Sequence, residues 1–319
     1  EPTVTDANVV LGFIPAGAVA DGVIQISRER ARDAVARLAA PLGLTTLETA
    51  RGIHRIANAR MVRALRSVSS EKGRDPRDFA LIAYGGSGPI HAAGLAEELG
   101  VRTILVPAVA GLFSAVGLLF ARPELHEVHT CHLDLDSTAP GLLAELFAGL
   151  DARLAPALEG RSGVELSRSA DLRYGGQSWE VEVELARRPL DRDALADLRE
   201  RFESEHERLY GVRDRPGSPV EVRALRLTAL GQTTATESFR FDDSRGEPSS
   251  STRTVCFGDD EHEASVRRRS SFGAASEPGP VLVDEYDTTV VVPPGWTVRR
   301  DDGTDTLILE RPILEHGNG

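Results

Sequence analysis

An α/β fold of two domains is what this sequence predicts, on three observations. An apolar run at 79–84 passes through Gly85-Gly86-Ser87-Gly88 straight into a helical stretch that ends at Gly100. A second apolar run, 101–106, follows at once, so two strands flank one helix as in a βαβ unit, whose crossover is expected to be right-handed. Beyond Arg122 the texture changes to a mixed α+β pattern with a β-rich end, and 319 residues, 41% of them hydrophobic, suffice for two cores.

The elements follow in order. Near the start, Thr3-Val4-Thr5-Asp6-Ala7-Asn8 is a polar turn before Val9-Val10-Leu11, and Asp6 and Asn8 either touch a ligand or cap a helix. Ser27 opens a helix to about residue 40, with Ala31, Val35 and Leu38 on its apolar stripe and Pro41 and Gly43 ending it. Thr45 and Glu48 form a capping box for a long helix to about residue 70. Ala50, Ile53, Ala57, Met61, Ala64, Leu65 and Val68 recur along it at three- and four-residue steps and predict its buried face. His54 reads as a surface or partly buried residue. Asn58 lies near the apolar face, where an unpaired amide is costly, so it is bonded to structure or faces a cleft.

The run at 79–84 lacks polar alternation, which predicts a strand covered on both faces. Gly85, Gly86 and Gly88 permit positive φ or close approach of a ligand, Ser87 or Gly88 can cap, and Pro89 suits a first helical position. A helix start of this kind favours a phosphate or the sugar edge of a nucleotide, although tight strand-to-helix turns also need glycine for steric reasons alone.

Farther on, His126, His129 and His132 lie with Cys131 on a strand-like segment that puts 126 and 132 on one face and 129 on the other, which argues against a metal site. A helix is predicted over 140–158, and a hairpin over 169–174 and 179–185 with Trp179, Val181, Val183 and Leu185 inward. Glu180, Glu182 and Glu184 are its solvent face. Asp191 caps a helix to Tyr210, with Leu195, Leu198, Phe202 and Leu209 on its core side and Gly211 closing it. Residues 219–230 form a strand. Residues 242–277 are expected to be mobile loops around Val255-Cys256-Phe257, and the β-rich end at 281–309 to be a small barrel or sandwich.

Composition excludes several functions. The net charge of −12 disfavours nucleic acid, and Arg267-Arg268-Arg269, the densest basic run, reads as a solvated loop. Lys72, the single lysine, sits in Glu-Lys-Gly, which rules out a Walker phosphate loop and Schiff-base chemistry. Cys131 and Cys256 lack the spacing of a disulfide framework or zinc knuckle. No run approaches the roughly 20 apolar residues of a membrane helix, so a cytoplasmic location is expected. The chain begins with Glu1 and its single methionine is Met61, so it is expected to start inside a longer polypeptide.

Several segments in order resemble the hydantoinase A / 5-oxoprolinase family. They are residues 1–8; Gly52-Ile53 with Ile56-Ala57-Asn58 and Met61; Asp75-Pro76-Arg77-Asp78-Phe79; residues 84–92; Phe113-Ser114-Ala115-Val116-Gly117; residues 173–178; Phe202 with residues 206–211; and residues 291–296. The resemblance implies part of an ATPase domain of the actin, sugar-kinase and heat-shock-chaperone type at 1–121, followed by the family's C-terminal α/β domain at 122–319. It assigns nucleotide contact to Gly85, Gly86, Ser87 and Gly88, with Asp6, Asn58 and His91 as weaker candidates; no catalytic residue is assigned and no metal ligand. The family's two phosphate-gripping Gly-Gly-Thr hairpins have no counterpart here, so contacts to the triphosphate and Mg2+ are expected from chain upstream. The implied activity is ATP-dependent hydrolysis of a cyclic amide of the hydantoin or 5-oxoproline type, through phosphorylation of the amide oxygen, in a hetero-oligomer with a hydantoinase B-like subunit. The alternatives are a subunit of an ATP-dependent ketone carboxylase, or a non-catalytic structural subunit that has lost the nucleotide site.

Overall fold

A computed structural model describes residues 1–19, 23–186, 188–215, 217–232 and 251–312. It is a mixed α/β architecture of several sheets in two compact units, one built from 1–118 with 251–312 and the other from 119–232.

The first unit begins with α1 (Val4–Val10), a short antiparallel ribbon of β1 (Gly17–Val19) and β2 (Ile24–Ile26), then α2 (Arg28–Leu42) and α3 (Thr46–Val68). The predicted caps form. Ser27 Oγ accepts from Arg30 N–H, Thr45 and Glu48 make a reciprocal box, and Gly43 closes α2 in the left-handed region at φ 67°. The buried face of α3 is rotated from the one expected: Thr49, Ala50, Asn58 and Val62 are inside, whereas Val68 is 58% exposed. Three- and four-residue spacing fits two neighbouring stripes on a helix this rich in alanine, and packing against α1 and α2 selects one of them.

Strand β3 (Leu81–Ile82), helix α4 (Gly88–Leu99) and strand β4 (Thr103–Val106) form the βαβ unit, and the two strands pair in parallel. The expected coverage of β3 on both faces is not found. It is the edge of a five-stranded sheet, and Phe79, Ile82 and Tyr84 are about half exposed. After β4 comes α5 (Phe113–Phe120), an apolar helix with no buried residue.

The second unit is an antiparallel sheet in the order β5-β8-β6-β7, formed by β5 (Glu124–Asp134), β6 (Glu165–Tyr174), β7 (Val181–Leu185) and β8 (Val220–Leu230), with α6 (Pro140–Leu158) and α7 (Arg192–Tyr210) between them in sequence. Apolar residues of both helices and of the inward strand positions share one core, including Phe147, Leu150, Tyr174, Val183, Leu198 and Phe202. Val181, Val183 and Leu185 are buried as predicted. Trp179 is not: it lies ahead of β7 and is 77% exposed, because the ladder starts only at Val181 and frees the residues before it from the pleat.

The rest of the chain returns to the first unit: β9 (Ser251–Phe257), β10 (Asp260–Arg267), β11 (Glu277–Pro278), β12 (Val281–Asp284), β13 (Thr289–Val292), β14 (Thr297–Asp301) and β15 (Thr306–Glu310). Two expectations are corrected here. Residues 251–267 are a regular hairpin rather than mobile loops, while 242–250 lie outside the described residues. The β-rich end is no separate barrel: β12 and β13 join β10 and β9, and β15 pairs with β4 to form the order β11-β14-β15-β4-β3. It is β12 and β13 that are covered on both faces. Val281, Val283, Val290 and Val292 pack toward α4, β4 and Trp296, and Leu282 and Val291 toward α1, α2 and α3.

Arg269, expected in a solvated loop, is 2% exposed. Its guanidinium pairs with Glu285 and donates to the carbonyls of Val106 (2.9 Å), Pro107 (3.1 Å) and Asp305 (2.7 Å). A charge is retained inside only when its donors are satisfied in this way. Arg267 pairs with Glu277 and lies over the Phe272 ring.

Candidate functional site

The turn between β3 and α4 is the centre of the candidate site. Gly85 has φ 87°, a conformation that other residues resist, and its N–H donates to Ala110 O at 2.7 Å. The Thr288 hydroxyl, from the connection between β12 and β13, lies 3.1 Å from Gly86 O and 3.4 Å from Gly85 O. These contacts fix the carbonyl side of the turn. Its other side is open: Gly86 and Ser87 are exposed, and a Cβ built on Gly85 or Gly88 would meet nothing within 4 Å. Ser87 caps α4 without a side-chain bond, and Pro89 sits in the first turn. Pro89 has no N–H and that of Ile90 donates to Ser87 O at 3.2 Å, so the N–H groups left for a polar or anionic edge at this helix start are those of Gly86, Ser87 and Gly88. The Tyr84 and Phe113 rings border it, 5.5 Å apart.

Beneath the turn lies a buried polar network. His91, one turn into α4 and 4% exposed, has Nδ1 2.7 Å from Asn58 Oδ1 on α3 and Nε2 3.3 Å from Asn8 Nδ2 on α1. Asn8 Oδ1 in turn lies 2.8 Å from His54 Nδ1, and the two imidazoles stack at 4.4 Å with 17° between planes. One assignment accounts for all three hydrogen bonds. His91 Nδ1–H donates to Asn58, Asn8 donates to His91 Nε2, and His54 Nδ1–H donates to Asn8, with both rings neutral. Burial, and then the neighbouring His91, pull the His54 pKa down to about 4. Burial lowers that of His91 as well.

The sequence candidates sort clearly. Gly85, Gly86, Ser87 and Gly88 come together in the open turn. Asn58 and His91 are neighbours under it, and Asn58 is bonded to structure. For Asp6 the structure shows capping: its carboxylate accepts from Thr3 N–H and Thr3 Oγ at 2.8 Å each. Sequence reasoning missed the linkage of His54, Asn8 and His91. The available signal was the i,i+4 spacing of His54 and Asn58 on the stripe that begins at Ala50. Farther along, His126 and His132 share the exposed face of β5 and His129 the other, and among the described residues no group of three potential ligands could hold a metal. Both cysteines are free thiols whose pKa burial raises. A cleft of about 440 Å³ lined by Arg66, Arg74, Arg77 and Glu98 lies at the opposite end of α4 from the turn.

Gly94 is part of this packing. A Cβ there would lie 2.6 Å from Asn58 Nδ2. Alanine is the better helix former by about 1 kcal/mol, yet displacing Asn58 outweighs that gain, so Gly94→Ala is expected to cost a net 1–3 kcal/mol or so in urea unfolding. A stabilised variant would contradict this packing.

Residues 1–127 match the profile of the family described as Hydantoinase/oxoprolinase. The chain belongs to the hydantoinase/oxoprolinase family. Its similarity to caprolactamase subunit alpha of Pseudomonas jessenii is 34% identity, over 94% of this chain and 45% of that protein. An uncharacterized protein of Methanocaldococcus jannaschii is 34% identical over 93% of this chain and 43% of its own length. The crystal structure of ATP-dependent caprolactamase from Pseudomonas jessenii aligns with a TM-score of 0.77 at 34% identity, over 98% of this chain and 47% of that one. The nucleotide-free structure of acetone carboxylase has the same fold at a TM-score of 0.68 and 24% identity, over 97% of this chain and 46% of that one. The chain thus spans less than half the length of these hydantoinase/oxoprolinase relatives. Among its described residues no helix is long and apolar enough to cross a membrane.

Proposed function

We propose that this chain is part of an ATP-dependent cyclic amide hydrolase, and that Gly85, Gly86, Ser87 and Gly88 form one wall of its nucleotide site. The observation that carries the reading is the similarity to an ATP-dependent caprolactamase over 98% of the chain, with the open glycine turn inside the matched region. The domain at 1–121 is then the back portion of an actin-like ATPase domain.

The residues present fit a nucleotide edge, since there is free space over Gly85 and Gly88 beside the N–H groups of Gly86, Ser87 and Gly88, while that of Gly85 is taken by Ala110 O. They do not form a magnesium site among the described residues, so in this reading metal contacts come from chain or subunits beyond these residues. ATP, when bound, supplies the phosphoryl group that turns the oxygen of a poorly electrophilic amide into a leaving group. The chain's own part is positional. Thr288 and Ala110 hold the turn rigid from behind, so the N–H groups of Gly86, Ser87 and Gly88 are aimed before a ligand arrives, and no ordering cost is added on binding. Proteins similar to this one are named as alpha, beta or gamma subunits, which supports a hetero-oligomer, with a hydantoinase B-like subunit as partner.

The test uses the assembled enzyme and Gly88→Val. Beyond its chain neighbours nothing lies within 4 Å of a Cβ at Gly88, while a β-branched residue before Pro89 is disfavoured in helical conformation, so the unfolding free energy is expected to fall by about 1 kcal/mol and the protein to stay folded. ATP affinity is expected to fall at least ~10-fold, because the side chain occupies ligand space. Unchanged affinity in calorimetry removes the turn from the nucleotide site. ADP release that depends on hydantoins, 5-oxoproline or other lactams tests the reaction itself.

A ketone carboxylase subunit is the second reading, favoured by 39% identity over 37% of this chain to acetophenone carboxylase gamma subunit of Aromatoleum aromaticum. Bicarbonate-dependent ATP turnover with a ketone and none with lactams would select it. Failure to bind ATP in the assembled enzyme would leave the non-catalytic structural subunit.

A further inference from the structure

We propose that Asn8, His54, His91 and Asn58 form an acid-sensitive latch that holds the start of α4, and with it the glycine turn, against α1 and α3. The network has features that bulk packing does not require. It spends four polar side chains where apolar ones would fill the space at less desolvation cost. Its bonds join α4 to two other helices within one turn of Gly88, and Asn8 and His91 are almost wholly buried. In the assignment that accounts for these bonds, each imidazole donates through Nδ1 and His91 accepts through Nε2.

The pair of bonds at His91 exists in one protonation state of that ring only. A proton on His91 Nε2 confronts the Asn8 amide N–H with a second donor. A proton on His54 places a charge 4.4 Å from a stacked ring. Among the described residues neither charge has a carboxylate paired with it. α1 brings Asp6, which Thr3 engages, and α2 brings Arg28, which acts on Cys256. On α3, Arg51 sits one turn from His54 and pairs with Asp259, while α4 carries no charged residue before Glu97. The β9–β10 hairpin brings Asp259, Glu261 and His262, the last against Phe257. The charge that bears on His54 is that of His91. Protonation is therefore accommodated by opening, which takes α4's first turn off α1 and α3 and leaves the glycine turn held only from the far side, by Thr288 and Ala110.

Hydrogen exchange on the full chain tests this, with protection expressed against the intrinsic rate at each pH. An imidazole that titrates near 6.5 once exposed raises the opening constant roughly 25-fold between pH 7 and pH 5, and two raise it several hundred-fold. The sign follows from linkage: a lowered folded pKa keeps the latch shut above about pH 6.5 and weakens it below. The amides of 90–95 are expected to lose protection by that larger factor in wild type and by about 25-fold in His91→Gln, whose amide can make both bonds without titrating, while Gly85 N–H keeps its bond to Ala110 O. Throughout, β13 amides are expected to stay better protected. Protection at 90–95 that changes less than threefold, an equal slope in the variant, or equal protection of α4 and β13 overturns the latch. If His91→Gln does not fold, nitrogen NMR of wild type decides. Both rings neutral at pH 6, with the proton of His91 on Nδ1, support the latch; a charged ring or the opposite tautomer overturns it. ATP titrated in parallel keeps the readings apart, since absent binding with an intact latch strikes only the proposed nucleotide site.

Discussion

Arg269→Met is expected to lower the stability of the first unit by about 3–5 kcal/mol, the range for removing one member of a buried ion pair. Arg269 is 2% exposed and Glu285 8%, so solvent screens their interaction little. The guanidinium also gathers three carbonyls, that of buried Val106 and those of half-buried Pro107 and Asp305, which methionine leaves without this donor. Those carbonyls close the end of β4, and Glu285 lies in the connection that carries Thr288 to the glycine turn, so local loosening is expected there first. Arg269→Lys restores charge but cannot span the same acceptors, and should recover only part of the loss. Trp296, 1% exposed, reports the transition by fluorescence, since Trp179 is already exposed in the folded chain. A loss below about 1 kcal/mol would refute the clamp.

Phe202→Ala is expected to cost a similar 3–5 kcal/mol or so in the second unit. Its ring is fully buried between sheet and helix, 4.9 Å from the Tyr174 ring and 5.8 Å from that of His206. His206 takes a hydrogen bond from the Gln177 amide and donates through Nδ1 to Val212 O, so the cavity adjoins the contacts that hold the hairpin tip at 175–180. Denaturation followed by circular dichroism measures the cost. A midpoint close to wild type would mean that the core collapses around the missing ring.

What the sequence disclosed was local chemistry. Ser27, Thr45 and Asp191 cap their helices, and Gly43, Gly100 and Gly211 end them with positive φ, because each cap is decided within four residues. The strand–glycine–helix turn was legible for the same reason. What stayed hidden depends on partners far away. The β9–β10 hairpin alternates only weakly, since Asp260 to Glu263 present charge before Ala264 and Val266 turn inward. Arg269 looks like its exposed neighbours until Glu285 and three distant carbonyls surround it. The histidine network joins residues 83, 46 and 33 positions apart, so no window of sequence contains it.

The pairing of β15 with β4 has a consequence for how the molecule is made. Synthesis delivers β4 some two hundred residues before its antiparallel neighbour, and the strands that finish the sheet leave the ribosome last of all the described elements. The segment 119–232, contiguous in the chain, has every strand of its own sheet by Leu230 and can close while the tail is still being translated. A stop codon just ahead of Thr306 would therefore spare that middle segment and leave the part bearing the glycine turn with an open seam, a target for chaperones and proteases rather than a shortened but intact fold.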